Sequence, residues 1–556
     1  MKCFITVILL YLATLPGISS GENLHETRLN SGLRSTEAYS YLLIEKAHKN
    51  RAESVLMLNE AAKNSPNLPA VYFELAKTSF SFSSSGIFRS VEYIIEGIDA
   101  YSRNFWSSLT LAGSLFFSLI ISFVILASII VTIRFPGDIQ LLAHDIAEAK
   151  YLLFILVLLV FISIISPFLF LAGMLVLFGM YMKKLDRVVV YIFLAFLVFS
   201  PLLFKAASLF VRALSSSEIK AIVEVNESKD SNYAITALRN SDDYASLFSY
   251  GLALKREGRY DEAVSVYQKL LQRRPDPRVY VNLGNCYAAL KDTEKAIAYY
   301  QKALDTKPLA SAYYNLSQIS REVLDFTKGN EYFKLALKTN RDAVADYRSI
   351  YGRNPNRFVA DETLSFAELW GLVMSNKVKT SAFGCAVLPP FLISGVAIIL
   401  TFLFFLLNTV IRSKAYRCKR CSVILCPRCE KHITWGRMCQ KCYASMVKMD
   451  ELEAKERVSK LLSVYEHQKK RRNIMRIFAF LMPGVSQIYA GKILAGVLFL
   501  WPFLFFLFIP VTNTILAGAG LLFAHSFFTW AAIFFAAVIY IISNIITMER
   551  IKKGWL

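Results

Sequence analysis

The chain has 556 residues, 55% of them hydrophobic and only 19% charged, and its 63 Lys/Arg against 42 Asp/Glu leave a formal net charge of +21. Soluble domains carry about a quarter charged residues, so this composition excludes a wholly soluble or disordered protein. Six of the nine cysteines fall between Cys418 and Cys442, with Cys3, Cys286 and Cys385 elsewhere, which excludes a disulfide scaffold spread along the chain.

The N-terminus reads as a secretory signal over 1–21. Lys2 opens it, Phe4 to Leu15 form an apolar run, and Gly17 to Gly21 supply a small-residue cleavage region. The segment 22–102 that follows is expected to be exported and helical. Stretches apolar enough to cross a bilayer, which takes about 20 residues, run from about 105 to 133, 151 to 182, 188 to 211, 386 to 410, 493 to 510 and 527 to 547. The second has 32 residues, about 48 Å as one helix, too long for a hydrocarbon core near 30 Å. Pro167 sits near its middle, where a ring without an N–H favours a break. The expectation is a hairpin of 151–166 and 168–182, so that 103–211 is a membrane domain of four spans.

Charge orients these spans, because positive residues collect on the cytoplasmic side of short loops. Lys183, Lys184 and Arg187 follow the hairpin directly, and Lys552 and Lys553 follow the last span. Seven spans satisfy both clusters together with the exported N-terminus. They place 212–381 outside, 386–410 as the returning span, 411–476 inside, and 477–556 as a two-span module. Asp138, Asp145 and Glu148 then fall in a solvated cytoplasmic loop.

Residues 244–342 contain three copies of one unit at a spacing of 33: 244–276, 277–309 and 310–342. Gly251, Gly284 and Ser317 correspond, as do Ala263, Ala296 and Gly329, then Tyr267, Tyr300 and Phe333, then Leu270, Ala303 and Ala336. Pro275 and Pro308 close the first two units. Small residues recur where helices approach closely, and aromatics recur where a side chain fills the gap to the next unit. The pattern resembles the tetratricopeptide repeat (TPR), a helix–turn–helix unit with this small/aromatic/Pro signature. The third unit is degenerate at Ser320 and Arg341. A fainter version runs through 35–101, carried by Ala61, Pro66, Tyr72, Leu75 and Ala76 and interrupted by Ser79 to Gly86. The stretch 216–241 reads as a cap on the main array. The resemblance implies an α-solenoid with a concave surface that binds protein partners; Tyr287 and Tyr314 are expected to be core, and the sequence nominates no particular binding residue.

The cysteines are spaced Cys418-x2-Cys421-x4-Cys426-x2-Cys429-x9-Cys439-x2-Cys442. Each Cys-x2-Cys turn presents two thiolates to one ion, and the first and third pairs are separated by 17 residues, within the range that reads as a zinc site. The segment resembles a zinc ribbon, which implies structural Zn²⁺, one or two ions. The middle pair either replaces an outer pair or joins His432 at a second ion. An iron–sulfur cluster is the competing occupant.

Residues 411–476 hold 18 Lys/Arg against six Asp/Glu, a net +12, more than half the excess of the whole chain. Such charge suits nucleic acid or anionic headgroups; Lys469-Lys-Arg-Arg472 directly before a membrane segment favours lipid. Next comes Phe480-Leu-Met-Pro-Gly-Val-Ser-Gln-Ile-Tyr-Ala-Gly-Lys492, which resembles the opening of small two-span bacterial membrane modules. No HExxH, P-loop, GxSxG or paired-carboxylate motif occurs, the six histidines are scattered, and His525 beside the last span reads as structural. The expectation is therefore an all-α polytopic membrane protein of a bacterial inner membrane. Its exported TPR-like solenoid captures a protein partner, its cytoplasmic zinc ribbon is small and structural, and it has no catalytic residues. The alternatives are a glycosyltransferase-like membrane enzyme with accessory TPRs and a zinc-ribbon regulator contacting nucleic acid.

Overall fold

The computed structural model describes residues 35–146, 149–229, 233–351, 359–375, 388–410, 414–418, 420–426, 438–446, 454–517 and 526–553. The proposed signal 1–21, Cys429, His432 and His525 lie outside these residues. The described chain is all-α apart from two short strands, β1 (Tyr416–Arg417) and β2 (Ile424–Leu425), paired antiparallel with Tyr416 opposite Leu425, and one isolated bridge between Ser35 and Lys229. It divides into two compact units, 1–109 with 212–379 and 110–211 with 380–556.

The first unit contains helix pairs. Tyr244–Arg256 and Tyr260–Arg273, Pro277–Ala289 and Thr293–Thr306, and Ala310–Glu322 and Phe326–Thr339 begin at intervals of 33 residues in both series. Local chemistry sets these boundaries. Asp243 and Asp276 cap first helices, and Asp292 and Asp325 cap second helices, each accepting backbone N–H groups that a helix start leaves unpaired. Each first helix is followed, two residues past its end, by a residue of left-handed backbone, Gly258, Lys291 and Leu324, again 33 apart. Gly258 meets that requirement without steric cost; Lys291 and Leu324 do not.

Packing explains the rest of the repeat. A Cβ at Gly284 would lie 2.6 Å from Tyr300 Cε1, and one at Gly251 would lie 2.8 Å from Tyr267. Both tyrosines are fully buried, as are Ala263, Ala296 and Ala303, so the signature residues form the core. Pro275 and Pro308 stand exposed in the connecting turns. The stretch ahead of the array forms helices Ser217–Asn226 and Ala234–Leu238. Two further pairs, Glu37–Lys49 with Ser54–Asn64 and Pro69–Ser79 with Ser84–Arg103, belong to the same unit. They are joined to the array by a charged cluster. Lys229 Nζ lies 2.8 Å from Glu37 and 2.6 Å from Glu227, Asn104 donates to Glu37, and Glu227 accepts the Phe105 N–H.

Phe105–Asp145, which belongs to the second unit from Thr110 onward, and Pro390–Val410, Ile493–Leu516 and Phe527–Lys552 of that unit are long and apolar enough to cross a membrane. The pair Arg187–Val198 and Ser200–Ser215, bent by 58° just ahead of Pro201, adds a fifth if taken as one broken span. Ala149–Ile165 and Pro167–Gly179 meet at Pro167, and a Cβ on Gly173 would lie 2.9 Å from Leu159. Those positions are each seven residues from Ser166, so the two helices fold back on one another. The core gathers Phe178, Phe193, Leu194, Phe404 and Leu500. Hydroxyls tie helices within it: Ser114 and Ser118 each lie 2.7 Å from Thr512 Oγ1, the kind of contact that helps apolar helices associate.

The long helix departs from the sequence reading. It continues through Pro136 to Asp145, so Asp138 and Asp145 are helical and not in a loop. Proline removes one N–H, but Arg134 makes a two-point ion pair with Asp138 across it, at 2.9 and 2.6 Å. The segment 480–492 also has a packing role. Gly484 has φ +82°, and a Cβ there would lie 2.2 Å from the Gly496 carbonyl oxygen. The buried Gln487 donates to Thr547, and Tyr540 donates to the Phe480 carbonyl.

Candidate binding groove and candidate metal centre

The three first helices of the array hold an extended stretch of the chain itself. Asn282 Nδ2 donates to the Glu362 carbonyl and Asn282 Oδ1 accepts the Glu362 N–H, both at 2.9 Å. One repeat further on, Asn315 makes the same two-point pair with Ala360, at 3.0 and 2.6 Å. Extended residues two apart face the same way, so equivalent side chains of successive repeats grip alternate peptide units. Asn285 donates to the Ala360 carbonyl and to Asp361, and its own oxygen is held by Tyr300 and Asn315. At the other end, Leu364 N–H donates to Asn226 Oδ1 at 2.7 Å.

Side chains add charge to this grip. Asp361 pairs with Lys255, and both side chains are only 11% exposed. Burial raises the Asp361 carboxyl, but Lys255 and Arg256 outweigh it and hold the group below its ordinary value. Glu362 accepts from Ser311 and is pushed up by burial. Arg278 holds Glu368 with two hydrogen bonds of 2.7 and 2.9 Å. Glu368 also closes a capping box with Ser365 at the start of helix Phe366–Met374, whose Trp370 and Phe366 pack on Phe105. Tyr314 is core, buried against Ala360 and Tyr347, whereas Tyr287 is only half-buried and stacks on Tyr299.

Sequence reasoning did not find Asn226, Lys255, Arg278, Asn282, Asn285 or Asn315. One signal was present: Asn282 and Asn315 occupy the same register 33 residues apart, polar residues on a helix face that is otherwise packed.

The tetratricopeptide-repeat family model matches residues 232–276 and 248–311. Residues 232–311 are tetratricopeptide repeats. No curated protein matches the chain. The third helix pair lies mostly beyond the match but keeps the same spacing, so the TPR array is longer than its recognisable sequence.

The second candidate site is the cysteine cluster. β1 and β2 form a tight hairpin in which Cys418 N–H donates to the Val423 carbonyl at 2.8 Å and Ser422 takes a left-handed backbone. This turn presents Cys418 and Cys421; Cys439 and Cys442 come from the start of helix Gln440–Met446. The four sulfurs lie within 4.8 Å of one another, with Cys421 and Cys439 3.7 Å apart. A tetrahedral zinc with Zn–S bonds near 2.3 Å requires sulfurs separated by about 3.8 Å, so the donor set fits such an ion. Burial raises the Cys418 thiol, but backbone N–H groups of Cys421, Cys439 and Arg420 bring it down to about 7, whereas burial and the neighbouring thiols push Cys439 and Cys442 up. Leu425, Val464 and Met438 close the site, and four sulfur donors leave no open position for a reacting water. Of the six expected ligands, the structure therefore brings together the first and third pairs. Cys426 packs against Leu141 and Ala415, and the other candidate donors beside it, Cys429 and His432, lie outside the described residues.

Basic residues of the second unit crowd one another. Lys414 is lowered to about 8 by burial and by Arg187. His467 is lowered by partial burial and by Arg471, Arg417 and Lys470. Lys492 is lowered by burial and by Lys183, Arg550 and Arg471.

Proposed function

We propose that this chain is a membrane-anchored protein-binding scaffold of a bacterial inner membrane. Its TPR array captures a partner on the exported side, and its cysteine cluster holds a structural zinc on the cytoplasmic side. The observation that carries the binding role is the TPR array itself, with asparagines of successive repeats directed at peptide backbone. The mechanism is positioning and not chemistry: the protein assembles an envelope complex by non-covalent capture, and Lys469 to Arg472 attract anionic headgroups.

Orientation is supported by the convergence of Lys183, Arg187, Lys414, Arg471, Lys492 and Arg550. These residues come from widely separated parts of the sequence yet influence one another electrostatically, and positive residues collect on the cytoplasmic side. Zinc is preferred because the four sulfurs match its tetrahedron. Reporter fusions after residues 300 and 430 should report opposite sides of the membrane; the same side for both refutes the orientation. Photo-crosslinkers placed on the array of the full chain in native membranes should trap a discrete protein partner. Crosslinks to lipid alone would refute the scaffold.

A further inference from the structure

The stretch 359–368 lies in the repeat array as a ligand lies in a receptor. Most of its hold is directed at atoms that every peptide has: Asn282 and Asn315 each satisfy both backbone groups of one residue, and Asn226 accepts a third N–H. Selectivity comes from few side chains. Ala360 is fully buried against Tyr314, Ala336 and Val344, where only a small residue fits. Asp361 meets Lys255, and Glu362 meets Ser311. Leu364 is the one large apolar side chain buried before the helix begins.

We infer that residues 359–368 are an intramolecular ligand of the TPR groove, exchanged for an extended acidic peptide of the partner that carries the same small–Asp–Glu–x–Leu pattern. Backbone-directed asparagines serve any extended peptide equally; Lys255 selects an acid at the position of Asp361, and Ser311 supplies a hydroxyl to the carboxyl at the position of Glu362. The groove is therefore a peptide site, and its own chain competes for it. This rests on the scaffold reading above and adds the chemistry of the partner and the contact that restrains its binding.

The test uses the full chain in detergent micelles and a fluorescein-labelled peptide of sequence Val-Ala-Asp-Glu-Thr-Leu-Ser-Phe-Ala-Glu. The double variant Asp361→Ala, Glu362→Ala weakens the internal ligand and should bind the peptide at least tenfold more tightly than the unaltered chain. Adding Asn285→Ala to it should abolish that gain. Equal binding by both chains, or no binding by either, overturns the inference. If the double variant does not fold, hydrogen exchange on the unaltered chain decides. Saturating peptide should speed exchange at the amides of Ala360, Glu362 and Leu364, and unchanged exchange overturns the inference. Peptide exchange without any crosslinked partner in membranes sinks the scaffold reading alone. A trapped partner with no peptide exchange sinks this inference alone.

Discussion

Lys229 joins two parts of the first unit that are separated by about a hundred residues of sequence, and its replacement by Met is the most exacting test of that unit. Its ammonium lies 2.8 Å from Glu37 and 2.6 Å from Glu227, with side-chain exposures of 10%, 21% and 10% for Lys229, Glu37 and Glu227. Removing one member of such a buried group leaves uncompensated charge and costs about 3–5 kcal/mol; here two carboxylates are abandoned together, so the upper half of that range is expected. Glu227 is already raised by burial, against the pull of Lys229. Without the lysine its carboxyl rises further, and an acid raised in the folded state destabilises above its folded pKa and is relieved below it. The loss in Lys229→Met should therefore be smaller at pH 5 than at pH 8. Pulse proteolysis of the full chain in detergent, read at the 35–103 helices, measures both quantities. Glu227→Gln added to Lys229→Met should recover part of the loss, since the amide oxygen still accepts the Phe105 N–H. A single-variant loss below 1 kcal/mol, or one independent of pH, refutes the assignment of this cluster as the joint.

Other substitutions test the array and the sulfur site. Gly284→Ala places a methyl 2.6 Å from the locked Tyr300 ring; overpacking of about 1–3 kcal/mol should exceed the helix propensity gained, and the thermal midpoint should fall. Leu324→Gly relieves a left-handed backbone at a side chain that is 74% exposed, so stability should rise by about 0.5–1 kcal/mol in denaturant titration. Purified protein should contain zinc by mass spectrometry, lost in Cys439→Ser and retained at the four-sulfur site in Cys426→Ser. Asp361 is lowered in the folded chain, so its contribution is complete above pH about 4 and disappears as pH falls through the folded value. Glu362, raised by burial, acts in the opposite sense. Backbone protection at Ala360 and Glu362 should decline below pH 4 in the native chain, and less in Asp361→Asn.

The repeat was legible because packing imposes it: Tyr267 and Tyr300 need a residue without a side chain opposite them, so Gly251 and Gly284 mark the spacing in the letters alone. Cys418, Cys421, Cys439 and Cys442 were legible for a similar reason, since one turn must offer two thiolates. The groove's occupant was not. Residues 359–365 have no period, and what holds them is largely their own backbone, which every sequence shares. Asn282 and Asn315 stood in register, but an asparagine in a helix names no partner until the partner is in place. Asp138 and Asp145 were misplaced for another reason: the apolar run stops near residue 133, but the helix that carries it continues through Pro136 to Asp145.

At about 1.5 Å per residue, the 41 residues of Phe105–Asp145 extend about 60 Å, roughly twice the hydrocarbon thickness of a bilayer. The overhang is a mounting post. Arg417 donates to the Gly137 carbonyl and to Gln140, and Asp145 accepts the Ala415 N–H, so the strand ending one residue before Cys418 is tied to the far end of a helix long and apolar enough to cross a membrane. A helix resists compression along its length, so an axial displacement of its apolar part is carried to β1, the strand tied to its far end.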